Sequence, residues 1–180
     1  ENQMYYPDRK RFRELSSEGN LIPVFREIDA DLETPVSAYL KIAKPPYSFL
    51  LESVEGGERV ARYSFIGTEP FDVIKTGPGQ KDGAVDPLSL IENALGKFNV
   101  VGSLDAERFN GGAVGYLAYE TIRYFENVPS PEVDTLDLPE SVFMLTDTFL
   151  VFDHVRHKIR VVSHAHTDGG VETSYGEAVK

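Results

Sequence analysis

The alternation of apolar and polar residues divides the chain into short strands and a few helices. Residues 21–28 (LIPVFREI), 48–54 (SFLLESV), 63–66 (YSFI) and 71–75 (FDVIK) read as strands. Pro23 marks the first of them as an edge strand or an initiating position, because proline cannot donate to a ladder. Pro7-Asp8 reads as a helix entry with Phe12 and Leu15 at helical spacing, stopped by Gly19-Asn20. Thr34 as N-cap and Pro35 in the first turn open a second helix carrying Val36, Tyr39, Leu40 and Ile42, which Pro45-Pro46 ends. Pro87 opens a third, with Leu88, Ile91, Leu95 and Phe98 on one stripe.

The small, apolar run at 111–119 (GGAVGYLAY) predicts a buried central strand whose glycines permit close backbone approach. Residues 120–126 continue as a short helix exposing Arg123. Residues 127–140 hold three prolines and four acidic groups and predict an irregular surface loop. Residues 141–152 and 158–165 form a closing β-hairpin that turns near 155–157. Strands predominate and the helices do not alternate strictly with them. The expected class is therefore α+β, with a mainly antiparallel sheet covered by helices.

The stretch 48–67 carries the densest candidate chemistry. By strand alternation Glu52 shares a face with Leu50 and Val54, and Ser53 shares the other with Phe49 and Leu51. A carboxylate on an otherwise apolar strand needs a partner if buried, since unpaired burial costs several kcal/mol or forces protonation. Gly56-Gly57 supply a turn, and the chain returns through Arg59 and Arg62. A carboxylate, a hydroxyl and guanidinium groups beside apolar side chains suit a small zwitterion with an apolar tail. A salt-bridged hairpin without a ligand is the plainer reading of the same residues.

Charge narrows the partners. With 29 acidic against 18 basic residues the net charge is −11, which argues against nucleic acid and against an anionic membrane surface. The basic run 9–13 (RKRFR) reads as the solvated face of the first helix. There is no cysteine, hence no disulfide, thiolate zinc site or thiol nucleophile. No apolar run of membrane-spanning length and no signal-peptide pattern is present, and cytoplasm is the expected location.

Other constellations are weaker. The glycines at 111–115 do not follow G-x-G-x-x-G, and Gly96-Lys97 lacks the rest of a phosphate loop. His154, His157, His164 and His166 fall within the last hairpin, two near its turn and two toward its far end, so a metal site would need them to converge with a carboxylate. Asp134, Asp137 and Glu140 sit in the Pro-rich loop without a held geometry for acid–base work. No catalytic constellation is expected.

The run Leu50-Leu51-Glu52-Ser53 followed by GGERVARYSFIG, with residues 20–24 (NLIPV) before it and 111–116 (GGAVGY) after it, resembles the amino-terminal domain of the large, chorismate-using subunit of anthranilate synthase. The likeness runs from about residue 12 to residue 162. It implies sheets packed on one another with helices outside, and makes residues 1–180 a regulatory, tryptophan-site domain without the carboxy-terminal chorismate and magnesium site. It implies no catalytic residue, metal or cofactor in this piece. For the complete enzyme it implies Mg2+, chorismate, and ammonia from a glutamine amidotransferase subunit. Tryptophan feedback inhibition would then act at Leu50, Leu51, Glu52, Ser53 and Arg62, with Arg59 an alternative to Arg62. The sister enzyme aminodeoxychorismate synthase component I, and a free-standing amino-acid-binding module, stay open as alternatives.

Overall fold

A computed structural model describes residues 4–52, 62–102, 110–129 and 136–180. In chain order its elements are α1 (Arg9–Leu15), β1 (Leu21–Asp29), α2 (Pro35–Ile42), β2 (Ser48–Leu51), β3 (Tyr63–Thr68), β4 (Asp72–Thr76), α3 (Pro87–Leu95), β5 (Gly112–Leu117), a 3-10 turn (Tyr119–Tyr124), β6 (Ser141–Thr146), β7 (Thr148–Asp153), β8 (Lys158–His166) and α4 (Val171–Ala178). The chain divides into two compact units. One comprises Glu1–Pro70, Phe98–Gly111 and Thr146–Lys180; the other comprises Phe71–Lys97 and Gly112–Leu145. The class is α+β, as expected.

The first unit is a five-stranded antiparallel sheet in the order β1-β8-β7-β3-β2. Pro23 lies on β1, at one edge. Alternation sorts its side chains into two layers. Ile22, Val24 and Ala165 meet Phe12 and Leu15 of α1 and Tyr175 of α4, and Ile66, Phe152 and Ile159 meet Ala38 of α2. The opposite face carries Phe25, Phe149, Val151 and Val162. The helices start where local chemistry dictates. Asp8 accepts from the Arg11 amide at 2.8 Å, and Thr34 and Ser37 form a reciprocal capping box.

The second unit is a three-stranded sheet in the order β4-β6-β5, with α3 packed on β4 and β5. Three expectations change here. The run 111–119 is an edge strand, not a central one, and Tyr116 and Leu117 are exposed. Its glycine does serve close approach: a Cβ on Gly115 would lie 1.9 Å from the Val142 carbonyl oxygen. The stretch 141–152 breaks at Asp147 into β6 and β7, which belong to different sheets. The stripe on α3 ends at Leu95, capped by Gly96, while the Phe98 ring meets His166 in the first unit at 5.2 Å.

Candidate functional site

Strand β2 forms an edge of the larger sheet and pairs with β3 in the register Phe49↔Gly67, Leu50↔Ile66 and Leu51↔Phe65. The absence of a side chain at Gly67 seats the Phe49 ring, whose Cε1 lies 2.2 Å from where a Cβ would stand. Tyr39 of α2 hydrogen-bonds Ser48 at 2.9 Å and ties the helix to the strand. Leu50 faces α2 and packs with Ala38, Ile66, Phe152 and Ile159. Leu51 is 43% exposed, and Glu52 is exposed just past the strand end. Water therefore solvates the Glu52 carboxylate, and burial does not oblige it to find a protein partner. Ser53 and Arg59 lie outside the described residues.

Arg62 is committed within the sheet. Its Nη2 donates to Asp153 Oδ2 at 2.6 Å and its Nε to Oδ1 at 3.1 Å, and its guanidinium lies 4.8 Å from the Tyr63 ring centre. Asp153 also accepts from the Val155 and Arg156 amides, both at 3.1 Å, so one carboxylate ties β3 to the β7–β8 turn. Burial pushes its carboxyl up, but the bonds from Arg62 and from those amides outweigh this and hold it below the usual carboxylate range.

The histidines do not converge. His154 Nε2 lies 2.8 Å from Ser64 Oγ. Ser64 is fully buried, so this pair braces the sheet and presents no nucleophile to a substrate. His157 holds the turn at φ 51. His164 Nδ1 is 3.1 Å from the Asp147 carbonyl, and His166 Nε2 is 3.4 Å from Asp147 Oδ2. Burial pushes His164 below the ordinary histidine value. Among the described residues no three His, Asp or Glu side chains converge as a metal ion requires. As placed, these side chains do not fit magnesium.

Glu140 differs from its expected place in an open loop. Its carboxylate accepts from Tyr124 Oη at 2.6 Å and from Arg123 Nη2 at 3.1 Å. The expected exposure of Arg123 is accordingly incomplete, since 31% of its side chain is accessible. Burial and the Glu140 bond push the Tyr124 phenol up to about 12. These groups pin the 3-10 turn to the start of β6. Asp153 and Glu140 are the best-held carboxylates described; on sequence alone Glu140 is set aside as unheld and Asp153 is not singled out.

Residues 46–180 match the family described as chorismate binding enzyme. The chain belongs to that family. Anthranilate synthase component 1 of Acetivibrio thermocellus is 40% identical over 186 residues, covering 98% of this chain and 38% of the relative. Probable anthranilate synthase component 1 of Schizosaccharomyces pombe is 41% identical over 180 residues, covering 97% of this chain and 36% of the relative. The crystal structure of anthranilate synthase component I from Streptococcus pneumoniae superposes with a TM-score of 0.52 at 25% identity, covering 84% of this chain and 35% of that one. This member of the chorismate binding enzymes thus spans less than two fifths of the relatives it matches. Among its described residues no helix is long and apolar enough to cross a membrane.

Proposed function

We propose that this chain is the amino-terminal, regulatory part of an anthranilate synthase component I. The observation that carries this is the match along 97–98% of its length to proteins bearing that name, at about two residues in five identical. The complete enzyme, a lyase, takes chorismate and ammonia, eliminates pyruvate and yields anthranilate, the entry to tryptophan synthesis. Ammonia comes from a glutamine amidotransferase partner, and Mg2+ is held outside this piece. Cytoplasm is the location this reading implies.

The β2–β3 edge supplies the inhibitor site in this reading. An exposed carboxylate at Glu52 pairs with the ammonium of L-tryptophan through a charge-assisted bond. Ser53 fixes the amino-acid end, and Leu51 offers an accessible apolar contact beside it. Leu50 supports the strand from the core. Arg62 contributes charge with its Asp153 pair in place. Tryptophan then favours a state unproductive for chorismate, so inhibition is a population shift between two sites.

Product identity tests the assignment. The complete polypeptide, given chorismate, ammonium and Mg2+, should release anthranilate, read by its fluorescence, while residues 1–180 alone should release none. Aminodeoxychorismate as the product would move the protein to the sister branch and overturn the reading.

A further inference from the structure

His164 on β8 is 4% exposed and lies on the sheet face of Phe149, whose ring centre is 5.7 Å away. The Asp147 carbonyl accepts its backbone amide at 2.8 Å and faces its Nδ1 at 3.1 Å. A carbonyl only accepts, so the proton of the neutral ring sits on Nδ1 and the lone pair on Nε2. Among the described residues Nε2 is buried without a hydrogen-bond partner.

The other side of the ring is closed by Gly111, at φ +87. A Cβ there would come within 2.7 Å of His164 Cε1 and 3.3 Å of the Thr146 carbonyl oxygen. The imidazole is therefore wedged between Gly111 and the Thr146–Asp147 segment. These are two of the points at which the chain leaves and re-enters this unit. Pro23 of β1 stands opposite in the ladder and, like Phe149, brings no charge. Among the described residues the ionisable groups acting on the ring are Asp147 and His166, and the Asp147 carboxylate is turned to His166.

A second proton must enter at Nε2. It would create a buried imidazolium whose new N–H has no acceptor among the described residues, a state far costlier than the neutral ring. Turning the ring would take Nδ1 from the Asp147 carbonyl that accepts its proton, so relief requires moving the groups that hold it. We propose that His164 is an acid-operated latch: protonation at Nε2 breaks its seat against Gly111 and the Asp147 carbonyl and frees those two segments ahead of the rest of the sheet.

Amide hydrogen exchange of the 180-residue chain, resolved at residues 110–112 and 146–148 and corrected for intrinsic rates, tests this. Opening takes up one proton, so the opening constant at those amides should rise about tenfold per pH unit just below the ordinary histidine value. Amides at the centre of β7 should lag behind. His164→Asn retains a donor near Nδ1 but takes no second proton, and should remove the acid response. His166→Asn should leave it in place. In the unsubstituted chain the Cε1–H resonance of His164 should titrate with the same midpoint as the exchange. The latch is overturned if His164→Asn keeps the acid response, if exchange rises evenly across the whole sheet, or if the ring titrates without a change in exchange.

Discussion

Gly115→Ala should destabilise the protein by about 3 kcal/mol, the upper end of the overpacking range. The added methyl would stand 1.9 Å from the Val142 carbonyl oxygen and 2.7 Å from Phe143 Cα. Both are backbone, on the middle strand of the smaller sheet, and β4 pins that strand on its far side through Lys75↔Val142. A flexible side chain could swing away, but a strand paired on both edges cannot do so without losing ladder bonds. Gly176→Ala is the matched control. It lies inside α4 with nothing within 4 Å of its added methyl, and should stabilise by about 0.5–1 kcal/mol through helix propensity. Urea unfolding of the two variants should move in opposite directions. Equal midpoints would refute the close-approach account of β5.

Asp153→Ala should cost about 3 kcal/mol, because it removes the partly buried, two-point charge-assisted bond to the Arg62 guanidinium and the acceptor of two turn amides. Burial decides the ranking among ion pairs. Asp153 is 9% exposed and Arg62 29%, whereas Lys44 and Glu69 are 64% and 62% exposed. Lys44→Ala should therefore cost under about 0.5 kcal/mol. The acid limb has a definite sign. The Asp153 carboxyl is lowered in the folded chain, so its contribution is complete above the ordinary value of 3.8 and fades as pH falls through the lower folded value. Asp153→Ala should flatten that limb of the stability–pH curve, and an acid limb unchanged from the parent would contradict the assignment.

Local chemistry made much of the fold legible. Asp8, Thr34-Pro35 and Pro87 mark helix starts because a cap is satisfied within a few residues, and Pro23 marks an edge because it lacks an amide proton. Sheet membership was not legible. The run from Ser141 to Phe152 holds two apolar stretches, 142–145 and 149–152, around Thr146-Asp147-Thr148, and only pairing with β4 on one side and with β3 and β8 on the other assigns them to different sheets. The glycines at 111–115 were read as signs of a buried strand, yet close approach to Val142 accounts for Gly115 on an edge.

The candidate site was legible in part. Leu50 belongs to the core as strand alternation allows, but the partner of Arg62 lies 91 residues away and no spacing rule reaches it. Glu140 looks free in its Pro-rich loop because Arg123 and Tyr124, which hold it, lie 17 and 16 residues away in sequence. Ser53 and Arg59 fall outside the described residues, so the reading of the inhibitor site stands on the motif and on Leu51 and Glu52.

The most direct measurement is tryptophan inhibition of anthranilate formation by the complete polypeptide, unsubstituted and as Ser53→Phe. The account predicts inhibition of the former, and for Ser53→Phe at least a tenfold rise in the tryptophan needed, about 1.4 kcal/mol of lost binding, with turnover in its absence nearly intact. Equal tryptophan sensitivity in the two proteins would contradict it.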